Sequence, residues 1–229
     1  MRTCSLTPFA AAVLATLAVP LAAGQAADPW TRDFNLDGET WSSRGRNPYF
    51  ILEPGYVLEL EGGTVRLVIT VLDETRRLDG VETRVIEERE TDGGGLVEVS
   101  RNYFALSTRT NSVFYFGEDV DIYKGGKVAS HDGAWLAGVN GARPGLMMPG
   151  LPLLHARHYQ EVAPGVAMDR AEIVSLTETM KTPAGAFRNV LRVSETTPLE
   201  PKVRDSKYYA RDIGLISDGA VVLVKYGAR

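Results

Sequence analysis

The sequence carries one cysteine, Cys4, and three histidines, His131, His155 and His158. From Ser5 onward it can therefore form no disulfide, no Cys-ligated metal site and no thiol nucleophile. A hydroxyl nucleophile fares little better, because no G-x-S-x-G elbow is present. Ser130 and His131 are adjacent, and neighbours in an extended strand point apart, so they make no dyad. Basic clusters are also missing: 25 Lys and Arg stand against 29 Asp and Glu, for a net charge of −4. That balance argues against nucleic acid or an anionic lipid surface as the main partner. The Gly-Gly strings lead into strands rather than helices, so they are turn chemistry and no phosphate cradle.

What is present begins with an export signal. Arg2 precedes an apolar core from Pro8 to Ala23, which ends in small residues up to Ala27. This pattern predicts a secretory signal peptide over residues 1–26 and a periplasmic or secreted protein. The apolar core falls short of the ~20 residues that span a bilayer, so no transmembrane segment is expected after cleavage. Cys4 lies inside the signal. A Cys ahead of the apolar core is no lipid-attachment site.

Residues 27–55 are rich in Gly, Pro, Asn and Asp, with Trp30, Trp41, Tyr49 and Phe50 as anchors, and they read as an irregular N-terminal arm. Asp33 to Gly38 resembles the first half of a calcium loop, but Arg44 stands where the bidentate acid belongs, which favours an Asx-rich turn. From residue 56 to 229 apolar and polar residues alternate between Gly-rich turns at Gly62-Gly63, Asp79-Gly80 and Asp92 to Gly95. Period-two alternation with turns every ~8–12 residues predicts a single all-β domain, an antiparallel meander curled into a barrel or half-barrel. Arg170 to Met180 is expected to be a strand by its β-rich neighbourhood, although a start after Asp169 with Glu172 and Glu178 also allows a short helix. Between Gly133 and Pro152 the alternation fails, and the expectation is one long Gly/Pro loop covering an end of the sheet.

Chemistry concentrates between Val113 and Glu161. Glu118, Asp119 and Asp121 follow an aromatic strand, and a hairpin at Lys124 to Lys127 would return His131 to their neighbourhood. Carboxylates with one imidazole could hold a divalent metal ion or act as an acid–base pair, which makes a metal-assisted hydrolase one reading of the chain. A solvated acidic turn is the plainer one. His155 and His158 with Met147 and Met148 supply copper-type ligands, but residues i and i+3 of a strand face opposite sides. Tyr115, Trp135, Met147 and Met148 could instead line a barrel mouth that takes a small apolar ligand, unless side chains fill the barrel.

Five motifs run through the chain: N-P-Y-F-x-L-x-P-G-Y at Asn47 to Tyr56, Y-F-G-E-D-V-D at Tyr115 to Asp121, G-A-W-x-A-G-V-N-G-A-x-P-G at Gly133 to Gly145, M-P-G at Met148 to Gly150, and K-Y-Y-A-R-D-I-G-L-I at Lys207 to Ile216. Together they resemble a family of secreted bacterial proteins of unknown function, which implies one extracytoplasmic domain and no particular activity. The C-terminal third is loosely similar to periplasmic half-barrels of the lipoprotein-carrier type; this implies architecture, and hydrophobic-ligand binding follows from it only by analogy. The expectation is a non-enzymatic binding or envelope-associated protein taking an apolar molecule, a metal ion or an envelope protein.

Overall fold

A computed structural model describes residues 28–228; the expected signal peptide and Cys4 lie outside the described residues. Among these no helix is present, and none is long and apolar enough to cross a membrane. The arm carries three two-residue strands, β1 (Trp41–Ser42), β2 (Arg46–Asn47) and β3 (Phe50–Ile51). A long meander follows: β4 (Tyr56–Gly62), β5 (Val65–Leu78), β6 (Val81–Asp92), β7 (Gly95–Ser107) and β8 (Val113–Lys124). Shorter pieces come next, β9 (Lys127–Ser130), β10 (Trp135–Leu136), β11 (Arg143–Met148), β12 (Arg157–Tyr159) and β13 (Glu161–Val162). The chain ends in β14 (Arg170–Thr182), β15 (Gly185–Thr196), β16 (Arg204–Ala210), β17 (Gly214–Asp218) and β18 (Val221–Ala228).

The main sheet runs β12-β14-β15-β16-β17-β18-β4-β5-β6-β7-β8-β11-β13 and curls into a nearly closed antiparallel barrel. Two features bring it round. The last strand pairs with the first of the meander, with Leu223 opposite Leu60. At the other seam one short segment serves both edges: residues 157–159 pair with β14, while Glu161 and Val162 pair with β11. Gln160, between them, donates its backbone N–H to Asp169 O at 2.8 Å. Sharing one segment between two edges leaves little unpaired edge to recruit another chain.

Alternation puts Leu67, Ile69 and Val71 of β5 inward, where they join Leu60, Ile216 and Leu223 in the core. The arm lies over the outside of β6 to β8. Trp41 pairs with Ser107 and sets its indole edge-on to Phe114 and Phe116, 5.4 and 5.3 Å between centroids. Phe50 crosses the barrel end to meet Phe104 at 4.9 Å.

The stretch from Gly133 to Pro152, expected as one long loop, contributes β10 and β11, both paired with β8. Its high Gly content hid the strands, and Gly145 is there for close approach rather than for a turn: a Cβ on it would lie 2.5 Å from the backbone C and O of Gln160. Residues 170–182 form a strand, as the alternation suggests.

Candidate functional site

The site is made by a break in parity on β8. Register shifts between Tyr103 and Phe104, so that Tyr103 faces Gly117 and Phe104 faces Tyr115. The residue left over is Phe116, and such a bulge lets residues of opposite parity share a face. Tyr115 and Glu118 consequently both look into the barrel, while Phe114 and Phe116 look out at Trp41. Gly117 takes φ 152°, and a Cβ there would come within 2.8 Å of Trp135 O, so the bulge also makes room for β10.

Behind this bulge lies a cavity of about 220 Å³. Glu88, Glu98, Glu118, Glu161, Asp169 and Glu195 wall it, together with Ser100, Asn102, Gln160 and Lys207. Its apolar wall is Phe104, Tyr115, Trp135, Met147 and Ala167. A smaller apolar annex of about 80 Å³ shares Glu88, Phe104, Met147 and Lys207 with it and continues toward Ile69, Val71 and Ile86. Tyr49, Phe50 and Ile51 of the arm close the annex.

Polar side chains in the chamber are partly tied down. Lys207 Nζ pairs with Glu195 at 3.0 Å and with Asp218 at 3.5 Å. Gln160 Nε2 donates to Glu195 Oε1 at 2.8 Å, and the backbone N–H of Asp169 donates to Glu161 Oε1 at 2.6 Å. The Tyr115 hydroxyl donates to Asn102 Oδ1. Phe104 and Tyr115 stack at 4.7 Å, and Trp135 meets Tyr115 edge-on at 5.2 Å.

Burial disfavours charge here, and the acids crowd one another. Glu118 is pushed up to about 8, first by burial and then by the charges of Glu88 and Glu98. Burial likewise lifts Glu88 to about 7, with Lys207 pulling the other way. Glu161 is raised well above the carboxyl range by burial and by Asp169, and burial also raises Glu98 and Asp169. For Lys207 burial works against the ammonium, but Glu195 and Asp218 outweigh it and hold the group charged. Glu88 and Glu118 are thus poised between neutral and ionised forms.

Of the side chains picked from sequence as a ligand-binding group, Tyr115, Trp135 and Met147 wall this chamber. Met148 points away into the core and is 1% exposed. The group of Glu118, Asp119, Asp121 and His131 is divided between two faces. Glu118 faces inward, whereas Asp119 and Asp121 face the outer groove. Asp119 is held there by Arg76 and the Tyr103 hydroxyl, each at 2.6 Å. His131 Nδ1 lies 2.9 Å from Asp121 Oδ1 and 2.8 Å from Val120 O. Among the described residues no three His, Cys, Asp or Glu side chains converge as a metal site. His158 is buried and His155 is exposed. Asp33 of the half calcium loop is engaged by Arg143 at 2.6 Å.

Sequence reading passed over Glu88, Glu98, Glu161, Asp169, Glu195 and Lys207, because charged residues alternating with apolar ones read as a wet outer face. The available signal was parity: Glu88 stands two residues from buried Ile86, and Lys207 two from buried Tyr209. No family model, curated protein or solved structure matches the chain.

Proposed function

We propose that this chain is an exported, non-enzymatic binding protein that holds a small ligand inside its barrel. One observation carries the reading: the chamber and its annex share Glu88, Phe104, Met147 and Lys207, so that an acid-rich cavity and a more apolar one adjoin. Small-molecule sites of this kind combine an apolar wall with a few convergent polar groups. Export follows from the N-terminal pattern of Arg2, an apolar core and small residues. A hydrolase built on Glu118, Asp119, Asp121 and His131 has less support, since those side chains divide between the two faces of one sheet.

The test is native mass spectrometry of the protein purified from its own cell envelope, followed by denaturing extraction. The expected result is a small molecule released on unfolding, and a Met147→Trp variant that comes out empty because the new side chain fills the junction of chamber and annex. A wild-type protein that is always empty, and that no compound in a broad metabolite screen stabilises against heat, would overturn the proposal.

A further inference from the structure

Among the described residues that wall the chamber one is a cation, Lys207, and its ion pairs go to Glu195 and Asp218. Glu88, Glu98, Glu118, Glu161 and Asp169 wall the same space and form no ion pair with any described residue. A buried carboxyl without a cation is held toward its neutral form, as Glu118 and Glu161 are, and an occupant carrying positive charge would let these acids ionise and be paired. Building on the reading of the barrel as a ligand chamber, we propose that its occupant is an organic cation, an ammonium group carried on a small apolar body.

Three further observations narrow the class. The lining also includes the rings of Phe104, Tyr115 and Trp135, the last paired directly with Glu118 across the sheet, and aromatic rings attract ammonium groups over inorganic ions that keep their water. The apolar annex continues from the chamber at Phe104 and Met147, which suits a hydrocarbon or aromatic body and gives a bare metal ion nothing to do. Trp135 is 6% exposed, and its Nε1–H has no acceptor among the described residues. A buried donor left unmade is costly, so an oxygen on the body of the occupant would complete it. No three carboxylates converge with the spacing of a metal site among the described residues.

The acids also set how such binding responds to pH. Glu118 faces Glu88 from β6, Glu98 from β7, Glu161 from β13 and Tyr115 from its own strand, with Lys207 behind them on β16. Glu88 and Glu118 lie near 7 and 8. A cation favours their ionised forms, so its binding releases protons and tightens as pH rises.

Calorimetry on the full-length mature protein, stripped of ligand by unfolding and refolding, tests this with tyramine, choline and butylamine as probes. Tyrosol, which replaces the ammonium of tyramine by a hydroxyl, is the neutral control, and calcium chloride the inorganic one. At least one ammonium probe should bind at pH 8, at least tenfold more tightly than its neutral counterpart and at least fivefold more tightly than at pH 6. Glu118→Gln should weaken it about tenfold, while Glu74→Gln, on the exposed outside, leaves it unchanged. Tyrosol binding as tightly as tyramine overturns the cationic class and leaves the chamber reading intact. Calcium binding without any amine overturns the organic class. Silence of all three amines overturns the proposal, and the envelope-purified protein then decides separately whether the barrel holds anything.

Discussion

Replacing Glu118 with Gln removes one ionisable acid from the chamber while keeping its shape, and the structure fixes the sign of the result. The folded protein lifts this carboxyl from 4.5 to about 8, mainly by burial. In the unfolded chain it returns to the ordinary value, so between those limits the native state holds the proton that the unfolded state has lost. Stability therefore falls as pH rises from about 4.5 toward 8, and is level above and below that window. At ~1.36 kcal/mol per pH unit the full displacement gives a ceiling of about 5 kcal/mol. Glu118 shares its field with Glu88 and Glu98, which take up protons when it ionises, and the cavity admits water; both effects reduce the loss to roughly 2–3 kcal/mol. Ligand-free Glu118→Gln should thus be more stable than wild type by that amount at pH 8.5 and equal to it at pH 4.5. Urea unfolding at the two pH values, followed by tryptophan fluorescence, measures the difference directly. A variant equally destabilised at both pH values would show Glu118 to be structural and would refute the argument from burial.

Four other substitutions probe the frame around the chamber. Gly145→Ala places a methyl 2.5 Å from the backbone of Gln160 and must part β11 from β13, so a loss of about 1–3 kcal/mol is expected, read as a fall of several degrees in Tm. Lys207→Met strands Glu195 and Asp218 without their cation; the cost of about 3–5 kcal/mol near pH 8 should shrink toward pH 4 as Asp218, whose carboxyl is pushed up by burial, protonates, which denaturation at both pH values checks. Ile216→Ala, at a site with no exposure, should cost about 2–5 kcal/mol in urea with an unchanged m value. Leu151→Ser changes a side chain that is 76% exposed and should alter Tm by less than a degree or two, its effect being within about 0.5 kcal/mol.

The curled meander was legible because alternation and turn chemistry are local. Val65 to Leu72 alternates as a strand with one buried face, and the turns at Gly62-Gly63 and Asp92 to Gly95 stand where the structure has them. The site was only half legible, and each failure has a local cause. Tyr115 and Glu118 are three apart, so plain alternation sends them to opposite faces; the bulge at Phe116 reunites them, and only register shows it. Glu118, Asp119 and Asp121 look like one cluster in sequence because proximity along the chain ignores which side of a sheet each residue meets. Strands β10 and β11 were hidden by the frequent glycines and prolines between Gly133 and Pro152; Gly145, one of them, is needed for backbone contact between strands and reads in one dimension as a loop residue.

The same logic explains why the acids of the interior escaped notice. In an open meander a row of glutamates on one face is solvated and unremarked. Closing the sheet turns part of that face inward, and closure here depends on residues 157–162 pairing with both edges, a long-range event that no window of sequence contains. Once closed, Glu88, Glu98 and Glu118 from three successive strands confront Glu161, Asp169 and Glu195 across a space that Lys207 cannot neutralise alone. Replacing these acids with apolar residues would relieve a charge cost that grows with pH, and a barrel built only for stability would gain by it. On the proposal made above these acids serve recognition: the charge that costs stability as pH rises is what a bound cation would satisfy.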